Sequence, residues 1–141
     1  MGATTLTRGS RTSGYDPAMA STPPLRITGA REARDSWADT VERVTAGEHQ
    51  ILLRNAAATA VILPPEWYAA AVQQVGEPPM KLRALVAVAS ARTNWSATVR
   101  MVEDDGKHVL LLRHATGVAY LVPTQWYAQT LEALGGPRLN F

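Results

Sequence analysis

Ala91-Arg92-Thr93-Asn94-Trp95-Ser96-Ala97-Thr98-Val99, then Val109-Leu110-Leu111-Leu112-Arg113-His114, then Tyr120-Leu121-Val122-Pro123-Thr124-Gln125-Trp126-Tyr127-Ala128, is a pattern that the chain carries twice. The earlier copy reads Ala33-Arg34-Asp35-Ser36-Trp37-Ala38-Asp39-Thr40-Val41, then Ile51-Leu52-Leu53-Arg54-Asn55, then Val61-Ile62-Leu63-Pro64-Pro65-Glu66-Trp67-Tyr68-Ala69. Trp37 lies 58 residues before Trp95, and Trp67 lies 59 before Trp126. One residue is therefore extra in the second copy, most simply near Asp104-Asp105-Gly106. All four tryptophans occupy equivalent positions. A chance repeat would not also return Ala-Arg, Thr-Val, Leu-Arg, Pro and Trp-Tyr-Ala in the same order, so the chain is a tandem duplication.

Bulk properties bound what such a duplication can be. With 141 residues the chain makes one domain or two very small ones. Each copy spans only about fifty residues, and a unit of that size buries little surface alone. The two copies are therefore expected to complete one another's core, which a 46% hydrophobic content can supply. Cysteine is absent, so disulfides and thiolate metal sites are excluded and a reducing, cytoplasmic setting fits. No apolar run approaches the ~20 residues that span a bilayer, and the N-terminus has no signal-type apolar stretch. The net charge is only +2. Arg8, Arg11 and Arg26 against Asp16 account for all of it, so binding to nucleic acid would need a local cluster rather than global basicity.

Each copy reads strand, helix, strand, strand, helix. In the first, Leu25–Thr28 is the opening strand. A helix from about Arg31 to Ala46 carries Ala33, Trp37, Val41 and Val44 on one face, and Gly47 stops it. Gln50–Arg54 and Thr59–Leu63 suit a hairpin across Asn55-Ala56-Ala57-Ala58, although the turn lacks a glycine. Pro64-Pro65-Glu66 opens the closing helix, which runs from Trp67 to about Val75. Gly76-Glu77-Pro78-Pro79 breaks the pattern. The second copy repeats it with Leu85–Val88, the stripe Ala91, Trp95, Val99 and Val102, the strands Lys107–Arg113 and Val118–Val122 with Gly117 near their turn, and a helix from Pro123 to about Leu134. The expected organisation is a tail over 1–24, a first unit over 25–75, a linker over 76–84, a second unit over 85–134 and a short end over 135–141. The fold class is α+β.

Residues 1–24 are rich in Gly, Ser, Thr, Ala and Pro without periodicity and read as disordered. Arg8 and Arg11 could reach phosphate. A non-functional extension is the favoured reading, with Met19 as a candidate true start.

In this order the residues resemble the Phd/YefM antitoxin family. The features that carry the likeness are Ala-Arg-x-Asn-apolar-Ser opening a helix, an apolar strand ending in Arg, Ala-x-Leu-Val, and a short helix with Tyr in its first turn. The second copy has Ala91-Arg92-Thr93-Asn94-Trp95-Ser96, Leu110-Leu111-Leu112-Arg113-His114 and Ala119-Tyr120-Leu121-Val122 with Tyr127. The first adds Glu32-Ala33-Arg34, Ala60-Val61-Ile62-Leu63 and Tyr68. The likeness covers about 27–72 and 85–134.

It implies a small dimeric DNA-binding protein that represses its own operon from a palindromic operator. The family's arginines map onto Arg34 and Arg54 in the first copy and Arg92 and Arg113 in the second. Asn94, Arg31 and His114 lie beside them as further contacts. Two copies in one chain would supply the two-fold without a second subunit, as a monomeric pseudo-dimer able to associate further. The copies differ beside the arginines, so an asymmetric operator is expected. Two departures qualify the likeness. Only Gly135–Phe141 follow the second unit, which is short for the family's toxin-wrapping segment. The Ser or Thr cap expected before the first helix is replaced by Arg31 and Ala89.

Other residue types read as structural. Trp37, Trp67, Trp95, Trp126, Tyr68 and Tyr127 lie on apolar stripes and are expected in the core and between the units rather than stacked on bases. His49, His108 and His114 show no metal-ligand spacing, and no cofactor is expected. Asn94-Trp95-Ser96 matches a glycosylation sequon by coincidence. No phosphate loop, Ser/His/Asp set or paired carboxylates suggest an enzyme. The sequence therefore predicts a repressor whose partner is duplex DNA. The alternative is a protein-interaction module, such as an antitoxin neutralising a cognate toxin or a scaffold that has lost DNA binding. The first predicts a basic face joining Arg34, Arg54, Arg92 and Arg113. The second predicts those arginines scattered or paired with acids, beside an exposed apolar groove.

Overall fold

The computed structural model describes residues 23–141; the expectations for the tail before Pro23, with Arg8, Arg11 and Met19, lie outside the described residues. The first unit comprises β1 (Leu25–Gly29), α1 (Ala30–Asp35), α2 (Trp37–Thr45), β2 (His49–Arg54), β3 (Ala57–Leu63) and α3 (Pro65–Val75). A single 3-10 turn at Met80–Leu82 leads into β4 (Arg83–Ala87). Then come α4 (Val88–Thr93), α5 (Trp95–Glu103), β5 (His108–Arg113), β6 (Thr116–Val122) and α6 (Thr124–Ala133). The mixed α+β class and the two-part internal arrangement agree with the sequence reading.

The six strands among the described residues form one sheet in the order β1-β2-β3-β6-β5-β4. In each unit the opening strand runs parallel to the next, a pairing that needs a helical crossover, and the following pair is a hairpin. The units join through antiparallel β3 and β6, where Ile62 pairs with Leu121, Val61 with Val122 and Leu63 with Tyr120. Ile62 and Leu121 are equivalent residues of the two copies. A pseudo-two-fold axis therefore passes through that pair, perpendicular to the sheet.

Strand alternation divides the core between the two faces. Leu52, Ala60, Ile62, Leu111, Ala119 and Leu121 face α1, α2, α4 and α5 in one buried cluster. Ile51, Val61, Leu63 and Val122 face α3 and α6 in the other. Helices cross between units: α2 packs on β6 and α5 on β3, while α3 packs on β6 and α6 on β3. Trp37 and Trp95, equivalent residues, meet edge-to-face at 5.1 Å between ring centroids. The Trp37 Nε1–H donates to the Val88 carbonyl across the units at 2.8 Å.

Three details depart from the sequence reading. The single helix expected over about 31–46 is two helices, broken at Ser36 (φ −109, ψ 40), and the second copy breaks likewise at Asn94 (φ −111, ψ 47). A local side-chain bond takes up backbone capacity at each break: the Thr40 hydroxyl donates to the Ala33 carbonyl at 3.0 Å, and the Thr98 hydroxyl to the Asn94 carbonyl at 2.9 Å. The hairpin loops are two residues long rather than four, with Asn55 and Ala56, and His114 and Ala115, all at positive φ. That is the tight turn whose twist matches the strands, and here it is made without glycine. Gly117 is not in the turn but inside β6, beside a register shift in its pairing with β5. Finally, residues 83 and 84 of the expected linker belong to β4, because Arg83 already pairs with His108.

Candidate nucleic-acid interface

The four arginines occupy equivalent places in the two units. Arg34 and Arg92 lie in the last turns of α1 and α4, both on the same helical layer. Arg54 and Arg113 end β2 and β5, at the roots of the hairpin turns. The pseudo-two-fold exchanges the members of each pair. Because β3 and β6 meet only near their C-terminal ends, the two turns point to opposite ends of the sheet. At about 3.3 Å per residue, the stretch from Ala57 to Ile62 and its counterpart separate the turns by about 33 Å.

Their charges are not equally available. Arg34 pairs with neighbouring Asp35 at 3.1 Å, and both side chains are well exposed. Arg54 is paired across the units with Glu103 of α5. Among the described residues Arg92, Arg113 and Arg31 have no ion-pair partner. His114 is exposed at its turn. Asn94 is exposed but turned back, its amide donating to the Ser90 carbonyl at 3.3 Å. The arginines thus show features of both expectations: two are paired with acids and two are free. Exposed pairs of this kind contribute at most about 1 kcal/mol, so exchanging Asp35 or Glu103 for a phosphate costs little.

The aromatic residues lie in the two apolar clusters and meet across the units. Trp37, Trp67, Trp95, Tyr68 and Tyr127 are buried and Trp126 is half-buried. Sequence reading missed their partners. His49 Nδ1 and the Tyr127 hydroxyl share a hydrogen bond of 2.9 Å, and His108 Nδ1 and the Tyr68 hydroxyl share another of 2.9 Å. Each joins one unit to the other. Burial lowers His49 from 6.5 to about 3, and burial with the nearby Arg83 charge lowers His108 to about 4. Both are neutral at pH 7, and burial raises the Tyr68 hydroxyl well above its ordinary value. The signal was available: His49 and His108 are 59 residues apart, as are Tyr68 and Tyr127.

On the opposite face of the sheet from α1 and α4 lies an apolar groove of about 500 Å³, between α3, Glu77-Pro78 and β4–β6. No group of His, Cys, Asp or Glu among the described residues is arranged to hold a metal ion. No helix among them is long and apolar enough to cross a membrane. Compared with protein-family models, curated proteins and solved structures, the chain matches none.

Proposed function

We propose that this chain is a sequence-specific DNA-binding repressor of the Phd/YefM antitoxin type, two such units forming a single-chain pseudo-dimer. The observation that carries the reading is the pseudo-two-fold relation of Arg34 to Arg92 and of Arg54 to Arg113. Duplex DNA presents the same two-fold to a protein, with half-sites about 34 Å apart for one helical turn. The separation of the hairpin turns is of that size. Arginine suits both tasks at such a surface, holding phosphate and reading a guanine edge with two hydrogen bonds.

Free Arg92 and Arg113 against paired Arg34 and Arg54 make the second unit the stronger half-site reader, which favours an asymmetric operator. The test is a titration on duplex DNA from upstream of the protein's own gene, at two salt concentrations. Selective binding that weakens with salt is expected. Arg92→Ala with Arg113→Ala should weaken it more than Arg34→Ala with Arg54→Ala, and each lost phosphate contact should flatten the salt slope by about 1. Equal binding by the quadruple variant, or no binding at either salt, would refute the repressor reading. Binding sites selected as perfect palindromes would refute the asymmetry alone. The second reading, a protein-interaction module, is favoured by one observation, the exposed apolar groove.

A further inference from the structure

We propose that a small polar pocket of the first unit, between α1, α2 and the outer strands β1 and β2, binds a small molecule headed by a primary ammonium group. The site is separate from the apolar groove and independent of the DNA-binding reading. It has a volume of about 50 Å³ and is lined by Arg26, Thr28 and Gln50 from the strands and by Glu32, Asp39 and Arg43 from the helices. Two of these residues carry a buried polar atom with no hydrogen-bond partner, the Thr28 hydroxyl and the Gln50 carbonyl oxygen Oε1. Thr28 is 6% exposed and Gln50 1%. Buried polar groups are nearly always bonded, because leaving one unbonded costs its full desolvation.

The second unit shows that the fold does not require a polar lining there. The repeat puts Val86 in the place of Thr28, Val109 in that of Gln50, Met101 in that of Arg43 and Ala84 in that of Arg26. All four belong to the apolar cluster beneath α4 and α5. Asp39 likewise becomes Ala97, and Glu32 becomes Ser90. One unit therefore closes this place with hydrocarbon, and the other keeps it polar and leaves two buried atoms unbonded. A ligand bonded to those atoms offsets their desolvation.

The lining selects a hydrogen-bond donor. Gln50 Nε2 donates to Glu48 at 2.9 Å, which fixes the amide and leaves Oε1, an acceptor only, without a donor. The Thr28 hydroxyl can accept as well as donate. Arg43 is held by Asp39 at 3.0 Å and by Glu48 at 3.5 Å. Among the described residues Glu32 has no ion-pair partner, and neither has Arg26. An ammonium group brings three N–H donors and a positive charge, matching in number the Gln50 oxygen, the Thr28 hydroxyl and the Glu32 carboxylate. An anion would face the first and last of these with no proton to give. A single water needs only about 10–15 Å³ of such space and brings no charge, so the pocket has room for an ammonium group and its first carbon. Arg26, free at the same site, suits a carboxylate on the same ligand, as in a small α-amino acid.

The test titrates the full chain, isotope-labelled, with methylammonium, glycine and acetate at constant ionic strength and neutral pH, and follows the side-chain amide of Gln50 and the backbone amides around it. Saturable shifts with methylammonium and none with acetate are expected. Thr28→Val with Gln50→Val, the residues of the second unit, should weaken binding by about tenfold or more, while the melting midpoint of the free chain holds or rises because two unbonded polar atoms are gone. Glu32→Gln should weaken binding by about tenfold as well; its exposed position leaves folding intact, so it decides the matter alone if the double variant unfolds. Glycine binding tighter than methylammonium, by a margin that Arg26→Ala removes, assigns an α-amino acid; equal or weaker glycine binding assigns a simple amine. Saturable acetate shifts at Gln50 would make this an anion site and overturn the proposal. Binding that Glu32→Gln leaves unchanged would lie elsewhere and overturn it also. No saturable shift with any of the three would leave water as the only occupant, which sinks the site.

Discussion

At the scale of single residues, the two hairpin turns store strain. Asn55, Ala56, His114 and Ala115 all adopt positive φ, at 54, 63, 50 and 64 degrees. Asn tolerates that region because its short polar side chain bonds locally, but alanine has no such compensation. Ala56→Gly and Ala115→Gly should therefore each raise stability by about 1 kcal/mol, the relieved left-handed cost less the extra freedom of glycine in the unfolded chain. Urea unfolding of the two variants checks this; a loss of stability in both would mean that the turns are held differently in solution. The duplicated strain lies directly beside Arg54 and Arg113. A tight two-residue turn with both central residues at positive φ holds these arginines at the strand ends, where a longer loop would let them wander.

At the scale of elements, the reciprocal His–Tyr bonds tie each closing helix to the opposite unit's central hairpin. His49 of β2 meets Tyr127 of α6, and His108 of β5 meets Tyr68 of α3. Their titration makes this tie sensitive to acid. The folded imidazoles protonate near pH 3 and 4, while the unfolded ones protonate near 6.5. Below 6.5 the unfolded chain binds more protons, so stability is full above that pH and is lost as pH falls towards 4 and then 3. The denaturation midpoint should drop between pH 7.5 and pH 5, before most carboxylates titrate. The double variant His49→Asn with His108→Asn should show a much flatter profile over the same window, whatever its starting stability. An equally steep profile in the variant would place the sensitivity elsewhere.

At the scale of the whole molecule, the units are interleaved rather than adjacent. Each lends a helix to cover the other's strand on both faces of the sheet, and β3 and β6 are each other's outer neighbours. Residues 23–78 or 79–141 alone would expose that strand edge and half of each apolar cluster. Neither piece should be a folded monomer: each should be unfolded by circular dichroism or self-associated by light scattering. Mixing the two should restore a one-to-one folded complex. A stable folded monomer from either half would show that the units are independent domains.

Much of this architecture was legible in the chain itself. The repeat offset of 58 and then 59 residues located the inserted residue, and α5 and β5 keep those two offsets on either side of Asp104-Asp105. Hydrophobic periods of 3.6 and 2 named the element order, because each element must turn an apolar face inward wherever it packs. Equivalent arginines, tryptophans and tyrosines followed from the same alignment. Long-range geometry was not legible. The pairing of Ile62 with Leu121, the crossing of α3 and α6 and the His–Tyr ties all join residues far apart in sequence, where local pattern carries no information. The ion pair of Arg54 with Glu103 spans 49 positions and depends on α5 packing over β3. The groove has the same origin. Two equivalent segments, Gly76–Met80 and Gly135–Leu139, share a glycine and a proline at matching places, and the first leads into β4 through the turn at Met80–Leu82. The sequence determined that there are two copies and what each is made of; tertiary packing alone decided which charges are free and which apolar surface is left uncovered, since both depend on what lies across the sheet.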